Sequence, residues 1–366
     1  MTFEERLRAI CAGMAKRGLD LIVAVHDGAH FIETPNPVTV ISGVKALGPA
    51  IGIIDRVGAL TLIVAPAWDE QRVRALCRRG RVVGVDDVVD GLRAALPAGK
   101  SVGTAGLAAA PNGLARRIAK LCPKAVAADD VVFDPTARKA PHEIRLARQA
   151  TQIAERNYAH LLAIARPGMS EDELAVAMRA HAKSLGAEDN FLLLCASPHN
   201  RAVAPSNGRL LQTGDIILAE ITPSYWGQLA QICRTVTVGA ASDLLREKYA
   251  LVVAAMNAGI AAARPGARMA DVCVAINAVL EAQGYGEYCH PPHIRRRGHG
   301  LGFASIRPGD VALDNDTVLE PGMVFMIHPN QYLPETGYLL CGEPVLMGER
   351  GAEPLTRRQA ALAELR

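Results

Sequence analysis

Two short stretches decide the fold of this chain: GDIILAE at Gly214–Glu220 and GMVFMIH at Gly322–His328. Each begins with a glycine, continues in a mainly apolar run typical of a buried strand, and reaches a polar residue six positions after the glycine. A polar side chain at the end of an apolar strand is costly to bury without a partner. We therefore take Glu220 and His328 as the leading candidates for a functional site.

A second repeat supports a duplication. ARPG at 165–168 recurs at 263–266, and each copy precedes a helical pattern that ends at a glycine eighteen residues later, Gly186 or Gly284. Chance could produce one such match, but two in register argue for a duplicated domain. A pseudo-twofold domain would bring equivalent strands together, so Glu220 and His328 are expected to face one cleft from opposite halves.

Residues 1–135 alternate between strand and helix patterns, which predicts a separate α/β domain. The predicted strands are Leu21–Val25, Ala50–Ile54 and Leu60–Ala65, and the predicted helices are Glu4–Arg17 and Asp69–Arg78. A polar stretch at 134–141 is typical of a linker, and a long helix is expected from His142 to Ile164. The second domain is then 136–366.

Composition excludes several classes of protein. The net charge of +3 and the absence of a long basic block argue against a nucleic-acid or membrane surface, and no apolar run is long enough to span a membrane. The eight cysteines show no CxxC pair or zinc-type spacing, which favours a reduced, cytoplasmic protein. The one tight basic cluster, Arg295–Arg297, is explained either by a solvated loop or by a clamp for an anion or carboxylate.

Two motifs in the second domain resemble those of the pita-bread superfamily, which includes methionine and Xaa-Pro aminopeptidases, prolidase, creatinase and ectoine hydrolase. They are GHGLG at Gly298–Gly302 and LEPGMV at Leu319–Val324. Residues 1–135 resemble the N-terminal domain of creatinase, prolidase and aminopeptidase P. The resemblance implies a creatinase-type α/β domain followed by a pseudo-twofold pita-bread domain of the α+β class, and a homodimer.

The resemblance also implies a departure at the metal site. Peptidases of this superfamily hold two divalent metals with two Asp, one His and two Glu. The positions that match these ligands here are Glu220, Gln231, His299, His328 and about Gly342. Because two adjacent cations need bridging anions, these replacements predict a site without metal or other cofactor. A single metal held by Glu220, His299 and His328 is the alternative.

The resulting expectation is a metal-independent hydrolase of an amide, amidine or related C–N bond in a small polar compound, similar to creatinase but not creatinase itself. Glu220, His299 and His328 are the predicted catalytic residues. The predicted substrate-binding residues are His199, Tyr225, Gln231, Arg234, His290, His293, Arg307 and Glu343. A reduced Xaa-Pro metallopeptidase, a non-catalytic binding module and a lyase remain alternatives.

Several of these residues have a structural interpretation as well. Arg234 is better explained by a role in the fold. Gln231 is explained equally well by orienting substrate or by filling an old ligand position, and Glu343 by supplying a second carboxylate or by lying at a surface turn. Cys195, Cys233 and Cys341 are expected to be buried inert thiols, with nucleophilic chemistry as the alternative. Either His199 or Ser206 would match the catalytic histidine of creatinase.

Overall fold

The computed structural model describes residues 2–29, 32–77 and 79–365. The chain divides into two compact units, Met1–Ala140 and Pro141–Arg366. The stretch predicted to be a linker belongs partly to the first unit, because Asp134–Thr136 forms a 3₁₀ turn in which buried Thr136 donates its hydroxyl to the Phe133 carbonyl at 2.7 Å. The polar residues there satisfy their own hydrogen bonds instead of forming an extended connection.

The first unit is a six-stranded sheet with helices, as its alternating sequence predicts. The strand order is β4-β3-β2-β1-β5-β6; β2 pairs antiparallel with β1 and β3, and the remaining pairs are parallel. Its strands are β1 Leu21–His26, β2 Ala50–Asp55, β3 Leu60–Val64, β4 Arg81–Gly84, β5 Val102–Ala105 and β6 Val126–Ala127. Its helices are α1 Phe3–Lys16, α2 Pro37–Ser42, α3 Glu70–Leu76, α4 Val88–Ala95, α5 Asn112–Leu121 and α6 Asp129–Phe133. Arg78, the predicted end of α3, lies outside the described residues.

Over its described residues, 141–365, the second unit contains two sheets, a hairpin and four long helices. Its helices are α7 Pro141–Ile164, α8 Glu171–Ser184, α9 Asp243–Ala262 and α10 Met269–Glu281. Its strands are β7 Asp189–Ser197, β8 Ile216–Tyr225, β9 Gln228–Leu229, β10 Ile232–Val238, β11 Gly298–Gly300, β12 Val324–Ile327, β13 Gln331–Leu333, β14 Gly337–Leu339, β15 Glu343–Met347, β16 Ala352–Pro354 and β17 Ala363–Leu365. The sheet orders are β17-β10-β8-β7, with β9 on β8, and β11-β12-β15-β16; β13 pairs with β14.

Equivalent backbone hydrogen bonds occur in the two halves of the second unit, as the predicted duplication requires. Gly168 (φ 83°) donates to the Leu211 carbonyl at 2.8 Å, and Gly266 (φ 88°) donates to Leu319 at 2.9 Å. Both glycines adopt the left-handed conformation that side chains disfavour, which explains why ARPG recurs.

The same correspondence holds at the starts of β8 and β12. Gly214 donates to the Val238 carbonyl at the end of β10, and Gly322 donates to the Met347 carbonyl at the end of β15, both at 2.8 Å. The strand pairs β8–β10 and β12–β15 are therefore equivalent elements.

The two sheets of this unit meet where β10 begins. Cys233 and Gly342 form an isolated antiparallel bridge, with N–O distances of 3.3 and 3.2 Å. On β8, Ala219 and Ile221 are fully buried in the core formed with α7 and α8. Because successive side chains of a strand point to opposite faces, Glu220 projects from the other face, on the side opposite this core.

Candidate active site

Glu220 is half-buried in the middle of β8, directly opposite Cys233 on β10. The Cys233 thiol lies 4.0 Å from the Glu220 Oε2 atom and accepts a hydrogen bond from Asn330 Nδ2 at 3.8 Å. Burial, together with the charge of Glu220, raises the pKa of Cys233 well above its ordinary value. The thiol therefore stays protonated and is able to donate to the carboxylate.

The two predicted catalytic histidines lie together in the second half. His299 on β11 and His328 after β12 have ring centroids 5.2 Å apart, with an angle of 60° between the ring planes. His299 Nδ1 is 3.0 Å from the Gly300 carbonyl oxygen. Since a carbonyl only accepts hydrogen bonds, Nδ1 is the donor in this contact, and in the uncharged form of the ring Nε2 is the basic nitrogen.

His328 is held neutral by its surroundings. Its backbone N–H donates to the Arg297 carbonyl at 2.9 Å, and only 8% of the residue is exposed. Burial lowers the pKa of His328 well below its ordinary value, and the neighbouring His299 and Arg296 lower it further. His328 is therefore an uncharged imidazole beside the His299 ring.

Glycines place His299 by allowing other backbone segments to approach. A Cβ atom on Gly298 would lie 1.9 Å from the Met326 carbonyl oxygen, and one on Gly300 would lie 2.1 Å from the Arg307 carbonyl oxygen. The glycines of the GHGLG motif are therefore required by contacts within the protein, and Arg307 contributes its backbone to this wall of the site.

Three buried polar atoms near these residues lack a hydrogen-bond partner among the residues that the structure describes. They are Thr222 Oγ1, Gln231 Oε1 and His328 Nδ1. Leaving such atoms without a partner is costly, so they are suited to bind a substrate or ordered water. Thr222 was missed from the sequence, although strand alternation could have found it, because it lies two positions after Glu220 on β8.

The residues in the superfamily's ligand positions do not fit a two-metal centre. A Cβ atom on Gly342 would lie 2.6 Å from His328 Cβ and 2.6 Å from Met326 Cε, so the space for a carboxylate there is filled. Gln231 is neutral. In the described ranges, no group of three or more His, Cys, Asp or Glu side chains is arranged to hold a metal ion.

Arg234 and Glu343 form a buried ion pair that ties β10 to β15. Arg234 Nη2 is 2.8 Å from Glu343 Oε1, and each side chain is 2% exposed. The guanidinium also donates to the Gly342 carbonyl at 2.7 Å, and the Thr356 hydroxyl donates to Glu343 at 2.5 Å. Arg234 lies over the Tyr158 ring of α7, away from Glu220. This placement favours a structural role for Arg234 and Glu343. Their contact with substrate stays a prediction.

Two further predicted residues lie away from the histidine pair. Tyr225, at the end of β8, packs against the α7–α8 side with Ile153 and Ala187. The His290 ring is exposed and lies 4.0 Å from Glu281 at the end of α10. Their predicted contact with substrate has no support from these positions.

His199 and His293 belong to an aromatic cluster with Tyr288 and Tyr332. The ring centroids are 4.8 Å apart for Tyr288–His293 and 6.0 Å apart for both His199–Tyr332 and His293–Tyr332. His199 Nε2 is also 3.0 Å from the Pro334 carbonyl. The two tyrosines were missed from the sequence because they are distant in the chain and belong to no motif.

The cysteines have the character of inert core residues. Burial raises the pKa of Cys341 to about 12 and also raises that of Cys195. Cys341 contacts the Met256 sulfur at 3.6 Å. Thiols that stay protonated are poor nucleophiles, which favours the structural interpretation.

Solved structures of peptidases share this fold. The prolidase from Pyrococcus horikoshii OT3 has a TM-score of 0.85 and 23% identity, covering 97% of this chain and 99% of that one. The X-Pro aminopeptidase from Thermotoga maritima MSB8 has a TM-score of 0.83 and 22% identity, covering 100% of both. Identities this low establish the fold alone. None of the helices within the described residues is long and apolar enough to cross a membrane.

Sequence relatives point to the same family. The chain is 29% identical over 237 residues to the Xaa-Pro dipeptidase of Pyrococcus furiosus, covering 64% of this chain and 67% of that protein. It is 29% identical over 221 residues to the uncharacterized peptidase YqhT of Bacillus subtilis, covering 60% of this chain and 62% of that protein. The family model for metallopeptidase family M24 matches residues 145–351, more than half of the chain. The chain therefore belongs to metallopeptidase family M24.

Proposed function

We propose that this protein hydrolyses the amide C–N bond of a dipeptide or a similarly small peptide-like molecule. The family and the relatives named as Xaa-Pro dipeptidases support a peptide bond over the non-peptide compound expected from the sequence. The observation that carries the proposal is the pair of imidazoles, His299 and His328, with ring centroids 5.2 Å apart, near buried polar atoms that have no hydrogen-bond partner among the described residues.

The residues support a proton-transfer role in amide hydrolysis. His299 Nε2 accepts a proton from water as the oxygen bonds to the carbonyl carbon, and the proton then passes to the leaving nitrogen as the C–N bond breaks. His328, an uncharged imidazole beside His299, contributes hydrogen bonds to the reacting groups and does not itself take the proton. Glu220 stabilises the positive charge that develops on His299, and Thr222 and Gln231 orient the substrate with their buried oxygens.

The proposal also includes hydrolysis that does not require a metal. Because Gln231 is neutral and the space at Gly342 is filled, the chain's residues do not provide the carboxylates that would bridge two metals. We therefore assign no step of the reaction to a metal. The second candidate is an Xaa-Pro dipeptidase with one metal, which the family membership and the adjacent histidines support.

A dipeptide panel tests both candidates. Purified protein is assayed for release of free amino acids from Xaa-Pro and other dipeptides, with no addition, with chelator, and with zinc or manganese. The proposal predicts hydrolysis that chelator leaves unchanged. Hydrolysis that requires added metal supports the second candidate instead, and no hydrolysis of any dipeptide contradicts both.

A further inference from the structure

A cavity of about 210 Å³ lies between α10 and the segment that leads into β11. Its lining includes all three arginines of the basic cluster, Arg295, Arg296 and Arg297, together with Asn277 and Asp314. Neither Glu220 nor the two site histidines line it. The lining of the cavity therefore includes none of the three predicted catalytic residues, although Arg297 is their neighbour in the chain.

Arg297 is a buried cation surrounded by neutral groups. It is 1% exposed, and its guanidinium donates to Asn277 Oδ1 at 2.7 Å, to the Pro329 carbonyl at 2.5 Å and to Gln331 Oε1 at 2.9 Å. Its Nη2 atom has no hydrogen-bond partner among the residues described. A buried charge normally requires an opposite charge, because removal from water costs several kcal/mol per ion.

The other charges around the cavity leave it positive. Arg296 forms an ion pair with Asp310 at 3.2 Å, whereas Arg295 is exposed at the rim. The lining contains one carboxylate, Asp314, and three arginines. It also contains His290, whose ring lies 4.0 Å from Glu281. The wall of the cavity thus has a surplus of guanidinium groups around the uncompensated Arg297.

We propose that this cavity binds a small oxyanion, a phosphate or a carboxylate, which supplies the counter-charge for Arg297 and is held at the rim by Arg295. Guanidinium groups suit both ions, since their N–H groups match the oxygens of phosphate and carboxylate. The cavity is smaller than the roughly 300–1,000 Å³ of sites for drug-sized ligands, which fits a small anion. This explains Arg295–Arg297 as an anion clamp.

Calorimetric titration at low ionic strength tests the site, independently of the proposed hydrolysis. Inorganic phosphate and succinate are titrated separately into the full-length protein. We expect saturable binding of one anion per chain, and the tighter of the two ligands shows whether the site prefers phosphate or carboxylate. Arg295→Ala should weaken binding about tenfold, the loss expected for one charge-assisted contact.

Arg264→Ala is the matched control, because Arg264 is exposed in the same unit, does not line the cavity, and donates to the Ala261 carbonyl at 3.0 Å. Arg297→Gln should abolish binding in protein whose circular dichroism matches wild type. If that variant does not fold, Arg296→Ala combined with Arg295→Ala replaces it. The proposal is overturned if neither anion saturates wild-type protein, or if Arg295→Ala binds as tightly as the control.

Discussion

The two halves of the second unit have the same backbone plan but different side chains at the positions that face the site. In the first half, β7, β8 and β10 contain 9, 10 and 7 residues, and the polar position on β8 is the carboxylate Glu220. In the second half, β11, β12 and β15 contain 3, 4 and 5 residues, and the corresponding position is the neutral His328.

This comparison distinguishes the residues that the fold requires from the residues that take part in the proposed chemistry. Gly168 and Gly266, and likewise Gly214 and Gly322, form matching backbone hydrogen bonds. All four have positive φ, which favours glycine at these positions. The side chains that match the superfamily's ligand positions, by contrast, include the neutral Gln231 and His328, and the proposed metal-independent chemistry depends on this difference.

The largest effect is expected at the histidine pair of the second half. His299→Gln should lower kcat/KM for the best dipeptide by roughly 10²–10⁴-fold, because it removes the basic nitrogen that accepts the proton. Glu220→Gln, in the first half, should lower kcat/KM by a smaller factor, because Glu220 stabilises charge and does not accept the proton. Steady-state kinetics measure both. His181→Gln on α8 is the control, since its ring stacks on His160 instead of contacting the site. If Glu220→Gln lowers kcat/KM more than His299→Gln does, the general base is Glu220, in the first half.

The ion pair between the halves should give the next largest effect, on stability. Arg234→Met leaves the buried Glu343 carboxylate without its partner and should reduce the free energy of unfolding by roughly 3–5 kcal/mol. The double variant Arg234→Met/Glu343→Leu should recover much of this loss, because neither charge is then buried. Urea unfolding followed by circular dichroism measures both variants. A single variant as stable as wild type would show that the pair does not join the sheets.

Gly300→Ala, in the second half, should lower stability because the added Cβ atom would lie 2.1 Å from the Arg307 carbonyl oxygen. We expect a loss of about 1–3 kcal/mol in the free energy of unfolding, the usual cost of overpacking. Gly286→Ala is the matched control, since its Cβ atom would have only an ordinary contact, 3.6 Å from Glu281 Cγ. Equal stability of the two variants in urea would remove the steric explanation for the GHGLG motif.

The smallest effect tests the duplication itself. Gly168→Ala and Gly266→Ala should each cost about 1 kcal/mol, because both residues have positive φ but no atom within 4 Å of an added Cβ. The two losses of unfolding free energy should agree within experimental error. A large difference between them would mean that the two turns are equivalent in sequence but not in structure.

The fold could be predicted from the sequence to a large extent because its signals are local. The ARPG turns and the glycines that begin β8 and β12 require special backbone geometry, so they identify equivalent elements without a structure. The site could be predicted only in part. Motifs located His299 and His328, but the Tyr288–Tyr332 cluster and the ion pair of Arg234 with Glu343 depend on contacts between distant segments. The neutral state of His328 also depends on burial, which one sequence cannot show.

The central claim is that this member of the family has a site whose residues do not hold two metals. The most direct test is the metal content of the protein, purified with supplemented zinc and manganese, dialysed, and measured by mass spectrometry beside His299→Ala. We predict far less than one equivalent of metal per chain in both samples. One or two tightly held equivalents in wild type that are lost in His299→Ala would contradict the claim and make the protein a metal-dependent peptidase.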